Sequence, residues 1–188
     1  LVFGNTNPSG KLPVTFGRKR EDFPATKRRE FPGIDTTVNY TEGIFVGYRY
    51  FERNGTQPLF PFGHGLSYTT FEYSNLKLSS KKMKAGDTLQ VSYTITNKGK
   101  RKGAEVSQLY IRDPKASLER PVKELKGFDK TFLEPGESKR ITHNISQRNL
   151  SFWDPKSDQW VAENGCFEIL IGASANDIHL KESIIYAN

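Results

Sequence analysis

At 188 residues the chain has room for one large domain, or for one small domain joined to a further segment. Hydrophobic residues make up 35% and mean hydropathy is −0.63, and no run approaches the ~20 apolar residues of a membrane helix. The single cysteine, Cys166, excludes an intrachain disulfide and a CxxC metal site, and a net charge of +7 raises the question of an anionic partner.

In chain order, Leu1-Val2-Phe3-Gly4 has no charged n-region and no h-region, so it does not read as a signal peptide. It reads as the middle of a buried strand, in a chain parted from an upstream partner. Asn7-Pro8-Ser9-Gly10 is a turn, and Leu12 to Phe16 a second short strand. Residues 17–39 form a long surface loop, with Pro24 and Pro32 as breakers, sparse apolar residues and dense basic ones. Ile44 to Phe51 is apolar on both faces and predicts a strand covered on both sides. Asn54-Gly55 is a turn, and Gly63-His64-Gly65 permits close backbone approach.

From Glu72 the texture changes. Leu89, Val91, Tyr93 and Ile95 alternate with polar residues at a strict period of two. Asn97-Lys98-Gly99-Lys100 turns the chain into a strand over Val106 to Arg112. Further strands follow at Lys126 to Leu133 and, past Glu134-Pro135-Gly136-Glu137, at Ser138 to Ile145. Trp153 and Trp160 flank a wide hairpin loop. Cys166 to Gly172, with Phe167, Ile169 and Ile171 on one face, and Ile178 to Tyr186 close the pattern. Six or seven short strands with regular turns and no helical periodicity predict an antiparallel β-sandwich of the immunoglobulin-like kind over 72–188.

The basic clusters are Arg18-Lys19-Arg20, Lys27-Arg28-Arg29, Lys81-Lys82 with Lys84, and Lys98 with Lys100-Arg101-Lys102. All fall in predicted loops or turns, without a basic helix or an RNA-stacking motif, and read as solvated loop charge. No nucleic-acid or membrane partner is expected. His64, His143 and His179 are too scattered for a metal centre, so no metal and no cofactor is expected.

Three long motifs then carry a resemblance. Asn7-Pro8-Ser9-Gly10-Lys11-Leu12-Pro13-Val14-Thr15-Phe16, Glu42 to Phe51 (EGIFVGYRYF) and Phe60 to Phe71 (FPFGHGLSYTTF) resemble, in order, the C-terminal region of glycoside hydrolase family 3 enzymes of the β-glucosidase type. Lys123-Glu124-Leu125-Lys126-Gly127-Phe128, Pro135-Gly136-Glu137, Leu150-Ser151-Phe152-Trp153-Asp154 and Gly172-Ala173-Ser174 with Asp177-Ile178 are similar to that family's fibronectin type III-like module. The resemblance implies a mainly β chain in two parts. Residues 1–71 would close an α/β sandwich domain, with the loop 17–39 inside them, and 72–188 would be the module.

It also implies retaining hydrolysis of β-glycosides by two carboxyl groups. The nucleophile Asp, in an SDW-like context, belongs to a (β/α)8 barrel, and the acid/base Glu to the earlier α/β sandwich. Neither motif is present, so no catalytic residue is expected here, and the partner is the upstream catalytic portion with its glycoside substrate. Glu42 and Glu52 flank the aromatic run as the best carboxylates, and Asp154 and Asp158 read as turn formers. Glu42, Tyr48, Arg49, Tyr50 and His64 are the candidates for sugar or domain contact, against a core reading for the aromatics.

Four sequons, at Asn39, Asn54, Asn144 and Asn149, suggest glycosylation and a secreted protein, with a cytoplasmic one compatible. The competing readings are a carbohydrate- or polymer-binding module and a β-xylosidase-type member of the same family.

Overall fold

The structure is a computed structural model that describes residues 1–26 and 30–188; the basic triplet Lys27-Arg28-Arg29 lies outside the described residues. Residues 71–188 carry ten strands. They are β1 Phe71–Leu78, β2 Lys82–Met83, β3 Thr88–Asn97, β4 Gly103–Arg112, β5 Glu124–Leu133, β6 Ser138–Ser146, β7 Phe152–Asp154, β8 Gln159–Val161, β9 Gly165–Ser174 and β10 Asp177–Tyr186. Sheet order is β1-β3-β6 against β2-β10-β9-β4-β5, with β7-β8 as a separate hairpin. Pairing is antiparallel except for the short β2, which runs parallel to β10.

The two sheets enclose one core because their alternating residues face each other. Leu89, Val91, Tyr93 and Ile95 of β3 and Ile141 and Ile145 of β6 meet Leu109 and Ile111 of β4, Phe167, Ile169 and Ile171 of β9 and Ile184 of β10. Each such side chain removed from water contributes about 1.5–3 kcal/mol before entropy is counted. Every strand predicted after residue 88 is present, and Trp153 pairs with Trp160 across the hairpin as the flanking positions suggested. Two elements carry no period-two signal: the two-residue β2, and α2 Gln147–Leu150, capped by Ser146 and Asn149.

Asn97, read in the sequence as a turn residue, is a fully buried hub. Its Oδ1 accepts from Thr69 Oγ1 (2.6 Å) and Gly99 N (3.1 Å), while Nδ2 donates to Arg101 O (2.7 Å) and Leu133 O (3.1 Å). One amide thereby ties the approach to β1, the β3–β4 turn and the end of β5. All four of its hydrogen-bonding capacities are used.

Residues 1–70 differ from the sequence reading. Leu1, Val2 and Phe3 are exposed and not in a strand, and Leu12 to Phe16 contributes one isolated bridge, Phe16 with Phe60. The predicted strand at Ile44–Phe51 is absent. Gly47 stands at φ +56°, ψ −137°, which interrupts an extended backbone, and the chain then enters the helix α1 Tyr48–Arg53. The apolar run had two uses that a period could not separate: Phe45 and Phe51 are buried, whereas Ile44 and Val46 point to solvent. The loop 17–39 holds a single 3-10 turn at Arg20–Asp22 and a bridge between Ile34 and Thr37 among its described residues.

Candidate functional site

The chemistry-bearing side chains concentrate where α1 lies against the β4–β5 end of the sandwich. Four residues of the KELK stretch supply most of it. Lys123 Nζ pairs with Glu52 Oε1 of α1, and both side chains are almost nine-tenths buried. Glu124 receives Arg120 (2.9 Å), Arg49 (3.3 Å) and Lys126 (3.4 Å). Leu125 N donates to Tyr48 Oη (3.0 Å). Arg120 also holds Asp113 at 3.1 Å and the Leu150 carbonyl at 3.1 Å, so a single guanidinium joins the β4–β5 connection to α2. Arg53 completes the clasp by pairing with Glu119 (2.7 Å) while its guanidinium lies 4.0 Å over the Phe45 ring.

The electrostatics of the two glutamates run in opposite directions. Burial raises the Glu52 carboxyl above the usual carboxylate range, with the Lys123 hydrogen bond and charge pulling it only part of the way back. Burial pushes Glu124 up too, but the Arg120 hydrogen bond and the charges of Lys126, Arg120 and Arg49 outweigh it and hold the group below its ordinary value. Lys126 is lowered, chiefly by burial. A second buried clasp lies on the other side of β4: Lys11 Nζ reaches Glu105 (3.0 Å) and the Ala173 carbonyl (3.0 Å), and Tyr73 Oη donates to Glu105 (2.8 Å).

The sequence candidates are distributed between these groups. Tyr48 packs its ring on Phe62 (5.1 Å) and Tyr110 (6.0 Å), so it lies between α1 and the sheet. Arg49 is committed to Glu124. Tyr50 stands edge-on to Phe51, and its carbonyl accepts from the Asn54 amide. His64 stacks on Phe60 at 5.1 Å, away from α1, and its carbonyl accepts from Leu12 N. Glu42 is half-buried and, among the described residues, neither an ion pair nor a side-chain hydrogen bond holds its carboxylate. The structure brings Tyr48 and Arg49 together with Glu52, Lys123 and Glu124, and leaves Glu42 and His64 elsewhere.

Sequence reasoning missed Lys123, Glu124 and Arg120 as working residues. A lysine–glutamate pair beside an apolar strand start gives no local signal of such a role, because its burial is decided by the fold. The α1 partners of Lys123 and Glu124, Glu52 and Arg49, lie more than 70 positions away in the chain. Among the described residues no cluster of three metal-ligating side chains occurs, and no helix is long and apolar enough to cross a membrane.

Two facing antiparallel sheets with a long, irregular N-terminal segment clasped onto one end define a fibronectin type III-like module with an attached wrap. Comparison agrees in both parts. The fibronectin type III-like domain profile matches residues 105–175, and the glycosyl hydrolase family 3 C-terminal domain profile matches residues 1–48. The chain is 48% identical over 184 residues to thermostable beta-glucosidase B of Acetivibrio thermocellus, covering 98% of this chain and 24% of that protein.

Among solved structures it superposes on beta-glucosidase 3B of Thermotoga neapolitana, in complex with alpha-D-glucose. There the TM-score is 0.87 at 45% identity, covering 97% of this chain and 25% of the other. It superposes also on a GH3 beta-glucosidase of Bifidobacterium adolescentis, with a TM-score of 0.92 at 36% identity, covering 99% and 27%. The chain belongs to glycoside hydrolase family 3, as a C-terminal region of it, and spans about a quarter of the length of the relatives it matches.

Proposed function

We propose that this chain is the C-terminal portion of a retaining β-glucosidase that removes terminal nonreducing β-D-glucosyl residues. On this reading the nucleophile Asp and the acid/base Glu belong to the upstream polypeptide. Residues 1–71 complete its α/β sandwich domain, and 72–188 brace it as the module. The observation that carries the reading is where apolar surface remains uncovered. Of the large hydrophobic side chains left exposed among the described residues, sixteen lie in residues 1–70 and six in the rest. Phe3 is 92% exposed, Tyr40 83% and Leu66 73%. Apolar exposure on this scale, clustered in one segment, marks a surface meant for another polypeptide. The names of the similar proteins support glucose as the sugar.

Full-length protein should release β-glucose from aryl β-D-glucosides with retention, seen by proton NMR, and the 188-residue chain alone should release none. Mixed with the upstream portion, the chain should migrate with it on gel filtration. A monodisperse 21.4 kDa species in that mixture would refute the bracing role. The same reading extends to a secreted glycoprotein. Asn144 faces solvent from β6, the edge strand of the smaller sheet, and suits a glycan. Asn54 donates its amide to the Tyr50 carbonyl and Asn149 accepts from Ser146, so these two suit one less; Asn39 is exposed. Intact mass before and after glycosidase treatment of material from a secreting host tests it.

A second reading has one observation in its favour. Phe128 and Phe132 stand 67% and 68% exposed on β5, an edge strand, with Lys130 between them. Such a row suits the faces of a polysaccharide. Retention of the full-length protein on cellulose or chitin, lost in a Phe128→Ala and Phe132→Ala double variant, would favour a binding module.

A further inference from the structure

At the other end of β4 and β5 from the α1 clasp, a cavity of about 560 Å³ opens between residues 4–9, the β3–β4 turn and the β5–β6 turn. Its frame is held by fixed contacts. Asn97 binds the carbonyls of Arg101 and Leu133, Asn7 donates to Ser67 Oγ and accepts from Tyr68 N, and Arg101 donates to the Gly4 carbonyl. Gly103 lines the cavity and has no room for a side chain, because a Cβ there would collide with Asn7 Nδ2. Other polar side chains on the lining are uncommitted: among the described residues, no ion pair or hydrogen bond involves those of Asn5, Thr6, Ser9, Lys102 or Glu134. Asn5, Thr6, Lys102 and Glu134 are exposed, and so is Phe132 on the wall beside them, so a ligand in the cavity can reach all five. From this fixed frame, with its free polar groups and aromatic wall, we propose that the cavity is a noncatalytic binding site for a neutral oligosaccharide chain.

The lining selects that class. Arg101 and Lys102 are matched by Glu134 and Glu137, which favours a ligand without net charge. The Asn5 amide and the Thr6 and Ser9 hydroxyls both donate and accept, Lys102 donates and Glu134 accepts, as a row of sugar hydroxyls requires. Phe132 offers a ring to the C–H face of a sugar, and it is the one large exposed hydrophobic residue on the lining. The cavity therefore differs from the apolar surface that residues 1–70 present to another polypeptide. An extended ligand fits better than a single sugar. Phe132 and Phe128 stand on the same face of β5, ~13 Å apart at the rise of a strand, and both are uncovered. A chain seated in the cavity reaches both rings. The proposal deepens the binding reading of the Phe128–Phe132 row and rests on it, but not on glycosidase activity.

The test runs full-length protein in native gels cast with hydroxyethylcellulose, a neutral soluble glucan, with excess glucose present to fill any catalytic pocket. Wild-type protein should be retarded. Phe132→Ala should weaken the apparent affinity about tenfold, as the loss of an aromatic anchor does. An Asn5→Ala, Thr6→Val double variant should weaken it about tenfold as well, through two lost hydrogen bonds. All three side chains are exposed, so the variants should keep the wild-type urea midpoint. Equal affinity in wild type and the double variant, with loss in Phe128→Ala, would leave the aromatic row as a binder and overturn the cavity site. No retardation of the wild type, or retardation seen only without glucose, would overturn it too. Hydrolysis of an aryl β-D-glucoside by the wild type is measured alongside, so that failed catalysis and failed binding are scored separately.

Discussion

Residues 71–188 and residues 1–70 solve the same problem differently. The first region buries twenty-one hydrophobic side chains in its own core; the second, among its described residues, buries two, Phe45 and Phe51. The sandwich is self-sufficient because period-two strands place one face of each sheet against the other. The N-terminal segment has no such pattern, so it is held by polar clasps at Glu52–Lys123, Arg49–Glu124 and Lys11–Glu105, while much of its apolar surface stays in water. A region stabilised by specific clasps and carrying exposed hydrophobics is built to be completed by something else. A region stabilised by a core is not.

The comparison breaks most sharply at a core position. Ile171→Ala, at a fully buried site in the sandwich, should cost about 2–5 kcal/mol in urea unfolding followed by Trp153 and Trp160 fluorescence. A loss below ~1 kcal/mol would mean that the sheets do not share one core. Next comes the clasp. Lys123→Ala leaves Glu52 buried and unpaired, and should cost about 3 kcal/mol. Amides of α1 should then exchange faster while those of β9 keep their protection, which separates a loosened wrap from a damaged sandwich.

Acid should act more weakly and on both regions. His143, which stacks on Tyr93 and shares a 3.1 Å contact with its hydroxyl, is held below the ordinary imidazole value of 6.5, chiefly by burial. A depressed histidine contributes stability that is complete above pH 6.5 and declines as pH falls through its folded value. With the ring half-exposed, solvent screening keeps the effect to a fraction of ~1 kcal/mol. His143→Gln should flatten the slope of stability with pH between 6.5 and 4.5.

Glu124, depressed below 4.5, contributes stability present above that pH and lost as pH falls through its folded value. Glu52, raised above 4.5, contributes stability below that pH that is lost as pH rises through its folded value. The smallest expected effect belongs to the exposed apolar surface. Ile44→Ser should change the stability of the chain by less than ~0.5 kcal/mol, yet weaken its association with the upstream portion in a binding assay. A large loss of stability there would erase the distinction between the two regions.

The sandwich was legible in the sequence because its signal is local. Leu89, Val91, Tyr93 and Ile95 alternate along one strand, and turns such as Glu134–Glu137 bracket the next. The motifs at 7–16, 42–51 and 60–71 and the KELKGF stretch were equally readable, and they point to the family through their order alone. Tertiary structure decided what those motifs do. Ile44–Phe51 is apolar throughout, and periodicity alone does not tell a strand from a short helix behind a glycine. Only the positive φ of Gly47 and the seat offered by Phe62 and Tyr110 selected α1. Likewise Lys123 and Glu52, or Asn97 with Thr69 and Leu133, are ordinary polar residues until the fold brings them together. Their roles come from burial and from partners far away in sequence, and no local pattern encodes either.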